Sequence, residues 1–203
     1  MDGTLLDSLG DIGGSVNTVL EELGLPTHPI PRFRQLVGEG ARSLLEKALP
    51  PERVALTDEA LARYRAIYAS RMLETSRPYP GIEALLAALR ARGDRVAVVT
   101  NKPQAAASRI ADTLFAGTFD VVVGERDGTA RKPDPAPARI AAEALGLQAR
   151  RCVFVGDSAV DVWTARAAQM TSVGVLWGFR DRVELEEAGA DHLVALPDEI
   201  LGI

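Results

Sequence analysis

Asp157 and Asp161 stand four residues apart behind the apolar run Val153-Phe154-Val155-Gly156. One carboxylate therefore falls at a strand end and the other about one helical turn later. Such a pair suits a hard divalent cation, since Mg²⁺ takes only one or two carboxylates and completes its shell with phosphate and water oxygens. Three further places carry complementary groups. Asp2-Gly3-Thr4 opens the chain, with Asp7 and Ser8 just behind it. Thr100, Asn101 and Lys102 follow four apolar residues, and Lys132 stands before Pro133-Asp134-Pro135 at a helix start. A threonine hydroxyl and a lysine suit a phosphate group. Lysine is also scarce here: Lys47, Lys102 and Lys132 are the only three among 23 basic residues. A compact ammonium on a flexible stem is not replaceable by arginine everywhere, so Lys102 and Lys132, both inside motifs, draw particular notice.

The elements that must position these groups alternate in type. Helical periodicity runs over residues 81–93, with apolar positions at 82, 85, 86 and 89. A buried-strand run covers 95–101, a helix 104–113, a strand 119–124 and a helix 135–146. Strand 151–158, a helix after it, strand 172–178, helix 182–188, a short strand 192–194 and a terminal helical turn complete the chain. Strands alternating with crossover helices predict an α/β fold: a parallel sheet with helices on both faces. Ligands of such sheets bind outside the carboxyl ends of the strands, where the four motifs lie. Residues 11–77 differ, reading as helices 12–23, 32–37, 41–48 and 58–74 broken by Pro26, Pro29, Pro31 and Pro50-Pro51. The predicted organisation is a core of residues 1–10 and 78–203 with an inserted all-helical cap of residues 11–77, rejoined through a hinge at 75–81.

Composition narrows the class of function. The 203 residues are 47% hydrophobic and 25% charged, ordinary for a globular protein. A net charge of −5 gives no support for nucleic acid or an anionic membrane as partner. No apolar run approaches the ~18 residues that span a bilayer, and the acidic start is unlike a secretory leader. The single cysteine, Cys152, forms no internal disulfide and points to a reducing, cytoplasmic setting. No Gly-x-Gly-x-x-Gly joins a strand to a helix, and Gly13-Gly14 lies inside the helical insert, which excludes a dinucleotide site.

The four segments, in this order and at strand ends, resemble the motifs of the haloacid dehalogenase superfamily of phosphohydrolases, whose Rossmannoid core carries a C1-type helical cap. The resemblance covers essentially the whole chain. YPGIEALLAALRARG, AVVTNKP, RKPDPAP, FVGDSAVD and, in the cap, VGEGARSLLEKAL are most similar to the phosphoglycolate phosphatase branch. It implies an Mg²⁺-dependent phosphomonoester hydrolase, monomeric or homodimeric, acting on a small phosphorylated metabolite, with 2-phosphoglycolate the best single candidate. Carried over by position, Asp2 matches the general acid/base and gives a backbone carbonyl to the metal, and Gly3 and Thr4 shape its turn. Thr100 matches the phosphate-binding hydroxyl, with Asn101 beside it. Lys132 matches the lysine that neutralises the phosphoryl group, Asp157 the direct metal ligand, and Asp161 the carboxylate that orients metal-bound water. Arg42 is a candidate fork for a substrate carboxylate.

One departure matters. In the family, motif one ends Asp-x-Asp-Gly-Thr, and the first aspartate is the nucleophile; here Met1 occupies the x position. The expectation is a native chain that begins several residues upstream, because the strand before this motif lies between strands 95–100 and 151–156. Its loss removes five or more backbone bonds at about 1 kcal/mol each, which rivals the ~5–15 kcal/mol stability of a domain. Added residues or a rearranged sheet are expected to close the gap. The competing readings are an inactive phosphate-binding or regulatory protein, and a related sugar-phosphate phosphatase or mutase.

Blander roles are weighed alongside. Asp157 and Asp161 also fit helix N-terminal carboxylates, and Thr100 a capping hydroxyl. Lys102 is divided between a structural role and support of the site, and Lys47 reads as surface. His28 and His192 read as structural, Trp163, Trp177 and Phe179 as core, and Cys152 as a buried strand residue without a base.

Overall fold

The computed structural model describes residues 1–126 and 128–203. The chain opens with a tight turn in which the Met1 carbonyl accepts from the N–H groups of Leu5 and Leu6 at 2.8 and 3.1 Å. A two-residue strand, β1 (Leu6–Asp7), then pairs antiparallel with β2 (Arg77–Pro78), Leu6 opposite Pro78 and Asp7 opposite Arg77. The two connections that lead into and out of the helical insert are thus zipped together.

Between them lie α1 (Leu9–Glu22), α2 (Phe33–Leu36), α3 (Ala41–Ala48) and α4 (Thr57–Arg71). The 3.6-residue period of α1 buries Leu9, Ile12, Val16, Val19 and Leu20 on one face. Gly13 sits on that face because the Phe33 ring packs directly on it; a Cβ there would fall 2.6 Å from the ring. The predicted helix over 32–37 is shorter and is preceded by a 3₁₀ turn at Ile30–Arg32. His28 is structural, its Nε2 lying 2.7 Å from the Ala48 carbonyl.

After the hinge come α5 (Ile82–Arg92), β3 (Ala97–Pro103), α6 (Gln104–Leu114) and β4 (Val121–Glu125). They are followed by α7 (Ala136–Ala144), β5 (Val153–Gly156), α8 (Ala159–Ala168), β6 (Thr171–Val175), α9 (Arg182–Ala188) and β7 (His192–Val194). The pairings among β3 to β7 are parallel. Val98 faces Val122 across β3 and β4; Phe154 faces Ser172 across β5 and β6; Gly174 faces Leu193 across β6 and β7.

These strands form two sheets, β3-β4 and β5-β6-β7, rather than one. The expected closure of the gap by a rearranged sheet is not what the fold adopts. A largely apolar cavity of about 340 Å³ separates the sheets, lined among others by Met1, Leu85, Leu86, Val98, Ala138, Val155 and Met170.

Two burial expectations need correction. Trp163 is 48% exposed, because it lies on the solvent side of α8, while Val162 and Ala165 take the inward positions. Cys152 is half-buried and precedes β5 instead of lying within it. Among the described residues no helix is long and apolar enough to cross a membrane.

Candidate active site

The carboxyl ends of β3 and β5, the opening turn and the segment before α7 converge on a cavity of about 590 Å³ roofed by α4 and by cap residues 37–41. Asp2, Thr4, Thr100, Asn101, Lys132, Asp157 and Asp161 all line it, so most of the residues picked from sequence meet at one place. Arg42 does not join them. Its guanidinium is exposed and pairs with Asp58 at 2.5 Å, since it projects from the outer face of α3. Gly3 lies beneath the cavity at φ +75°, a conformation glycine tolerates best. An added Cβ would overlap the Asp157 carboxylate, which packs directly on the Gly3 backbone.

Asp157 ends β5 almost fully buried. Its Oδ1 accepts from the Thr4 hydroxyl at 2.9 Å and its Oδ2 from the Phe179 N–H at 3.0 Å. It pairs with no cationic side chain among the described residues, and burial, reinforced by Asp161, pushes its pKa up to about 6. Asp161 serves two masters. Its Oδ2 accepts from the Ser158 N–H and hydroxyl at 3.1 and 2.7 Å, capping α8, and its Oδ1 lies 2.6 Å from Lys132 Nζ. Burial opposes ionisation of Asp161, but Lys132 and the Ser158 hydroxyl outweigh it and hold its pKa below the usual range.

Asn101 is committed to positioning. Its Oδ1 accepts from the Lys132 N–H at 2.9 Å, and its Nδ2 donates to the Lys132 and Gly38 carbonyls at 3.0 and 3.1 Å. The lysine is thereby tied to β3 and the cap to the core.

Asp2 is held by two donors on a single oxygen. Oδ1 accepts from the Ser8 hydroxyl at 2.6 Å and lies 3.0 Å from Lys102 Nζ. Burial would raise its pKa, yet Lys102 above all pulls it below the ordinary value. Lys102 also donates to the Tyr68 hydroxyl and sits 4.5 Å from that ring's centroid. Its place in the site was signalled by the rarity of lysine and by its position in the strand-end motif after Thr100 and Asn101. Arg65, Arg109, Arg126 and Arg180, which also line the cavity, carried no signal among so many arginines.

A hard divalent cation fits this donor set. Asp157 is a buried carboxylate without a cationic side-chain partner among the described residues, and Asp161 is beside it. Among the described residues no three His, Cys, Asp or Glu side chains form a ready cage, which accords with a cation that takes most of its shell from phosphate and water. The basic lining residues Arg65, Lys102, Arg109, Arg126, Lys132 and Arg180 outnumber the acidic Asp2, Glu125, Asp157 and Asp161 among the described residues. An acidic protein has gathered positive charge at its cavity, the arrangement that attracts an anionic ligand.

An α/β core with a helical roof and a cation-ready, anion-attracting cavity at its strand ends defines an enzyme of phosphoryl chemistry. A family profile described as haloacid dehalogenase-like hydrolase matches residues 1–175, and the chain belongs to that family. It is 38% identical over 185 residues to a phosphoglycolate phosphatase of Xanthomonas campestris, covering 89% of this chain and 82% of that one. A phosphoglycolate phosphatase of Neisseria meningitidis is 35% identical over 208 residues, covering 100% and 87%. The crystal structure of a predicted phosphoglycolate phosphatase from Haemophilus somnus superposes with a TM-score of 0.88 at 28% identity, covering 100% of this chain and 94% of that one.

Proposed function

We propose that this phosphatase is an Mg²⁺-dependent, cytoplasmic phosphomonoester hydrolase whose substrate is 2-phosphoglycolate, with residues 11–77 acting as the cap. The observation that carries the reading is the convergence of Thr100, Lys132, Asp2 and Asp157 on one cavity from four separate elements. The names of the relatives support the choice of substrate.

In this reading the Thr100 hydroxyl and the Lys132 ammonium bind the phosphate. Asp157, Asp161 and the Asp2 carbonyl are the groups that hold Mg²⁺, which when bound supplies Lewis-acid charge neutralisation at the phosphoryl oxygens. Because Ser8 and Lys102 occupy Asp2 Oδ1, Oδ2 is the atom that gives a proton to the leaving oxygen and takes one from water. A dianionic substrate beside Asp2 offsets Lys102 and favours protonation there. Asp2, Asp157 and Asp161 all have other roles in this reading, so none of them is the carboxylate that attacks phosphorus and becomes the aspartyl phosphate. Catalysis is then mostly positioning plus charge stabilisation.

The test follows phosphate release from 2-phosphoglycolate with Mg²⁺ and with EDTA, for the enzyme and its Thr100→Ala, Lys132→Ala and Asp157→Asn variants, and an acid quench traps any phosphoenzyme. Turnover is expected only with Mg²⁺, through a base-labile acyl phosphate, and with a loss of at least about 10²-fold in each variant. Turnover that survives EDTA, or variants that keep the wild-type rate, would overturn the reading. Phosphate binding through Thr100 and Lys132 without turnover would favour a non-catalytic phosphate-binding protein.

A further inference from the structure

Arg180 lies between β6 and α9, one residue after Phe179, whose N–H holds Asp157. Two of its three guanidinium nitrogens have partners. Nε is 3.1 Å from Glu184 Oε2, and Nη2 donates to the Val37 carbonyl of the cap at 2.8 Å. Nη1 is buried and has no hydrogen-bond partner among the described residues. A guanidinium N–H shut away from water is costly unless something accepts from it. The cavity's own carboxylates are already engaged: Asp2 with Lys102, Asp161 with Lys132, Glu125 with Arg131, and Asp157 with Thr4 and Phe179. No described residue supplies the missing acceptor, and a bound ligand can.

Resting on the reading above, we propose that Arg180 recognises a carboxylate at the non-reacting end of the substrate. The phosphate end is served by Thr100 and Lys132, so a second anion has Arg180 as its counterpart. A planar guanidinium matches the two oxygens of a carboxylate better than an ammonium does. Glu184 fixes the orientation of the side chain before any ligand arrives, which lowers the ordering cost of binding. Nη1 is closed to solvent in a structure where cap residues 37 and 38 are docked by Arg180 itself and by Asn101 donating to the Gly38 carbonyl. Substrate thus enters before residues 37–40 settle, and closure completes the contact. Arg65 on α4 lines the same cavity, but it is exposed and no partner orients it among the described residues.

The experiment uses two substrate pairs that differ in their carboxylate: 2-phosphoglycolate with ethyl phosphate, and 3-phosphoglycerate with glycerol 3-phosphate. Values of kcat/KM are compared for the enzyme and its Arg180→Gln, Arg180→Lys and Arg65→Ala variants, each checked by thermal melting. Arg180→Gln is expected to lose about 10- to 100-fold on the favoured carboxylate substrate, chiefly in KM, and less than about 3-fold on its carboxylate-free partner. Arg180→Lys is expected to fall between, because the charge stays and the fork is lost. Equal losses on both members of a pair, no loss on either, or a selective loss in Arg65→Ala instead would overturn the proposal. A wild type that prefers 3-phosphoglycerate, with that preference removed by Arg180→Gln, keeps the role of Arg180 and discards 2-phosphoglycolate as substrate. A wild type without carboxylate preference in either pair overturns the role outright.

Discussion

Lys102 Nζ lies 3.0 Å from Asp2 Oδ1 with both side chains nearly closed to solvent, and the same ammonium donates to the Tyr68 hydroxyl of the cap. One buried cation therefore joins the proposed acid/base residue, β3 and cap helix α4. Removing one partner of a buried pair leaves an uncompensated charge. Lys102→Met is expected to lower unfolding free energy by about 3 kcal/mol and kcat/KM by at least about 10²-fold. Tyr68→Phe, which keeps the ring under the ammonium, should cost only about 1 kcal/mol. Urea melts and steady-state kinetics check both, and equal effects from the two variants would refute this account.

Asp157 carries the opposite imbalance. Its pKa is pushed up to about 6 by burial and by Asp161. Between roughly pH 4, where an unfolded aspartate titrates, and pH 6 the native state holds a proton that the unfolded chain has lost. Stability from this residue is thus greatest below that window and falls as pH rises through it. In EDTA at pH 7.5, Asp157→Asn is expected to stabilise the fold by about 2 kcal/mol, and with Mg²⁺ present it is expected to abolish phosphatase activity. A melting temperature below that of wild type would count against the argument.

Asp11 is the hinge lock. It is 2% exposed, and its carboxylate accepts from the N–H and hydroxyl groups of both Thr75 and Ser76, at 2.5 to 3.1 Å. Burial opposes ionisation, but these donors prevail and depress its pKa. For a depressed carboxylate, stability is present above the unfolded value near pH 4 and is lost as pH falls through the folded one. Asp11→Ala is expected to cost about 3 kcal/mol at pH 7, with the gap to wild type narrowing below pH 4. Acid melts of both proteins measure it; a gap that stays constant across that range would contradict the assignment.

Arg42 supplies a negative control. Exposed and paired with Asp58 on the outer face of α3, it is expected to leave kcat/KM within about twofold when changed to Ala, as surface ion pairs contribute little. A larger, substrate-selective loss would return it to the site.

What the chain reveals on its own is set by local order. The alternation of apolar runs and amphipathic stretches predicts β3 to β7 with their helices, and short-range spacing places Thr100, Lys132, Asp157 and Asp161 at strand ends. Residues at the carboxyl ends of parallel strands meet whatever the intervening sequence, which is why those picks come together. Tertiary structure alone decided the pairings across long separations: Thr4 with Asp157, Asp2 with Lys102, Asp11 with Thr75 and Ser76, and Arg180 with Val37. No periodicity distinguishes Arg180 from nineteen other arginines or tells the outward face of α3 at Arg42 from one over the cavity. Those outcomes depend on how the helical insert sits on the core, and that is fixed by packing between segments far apart in the chain.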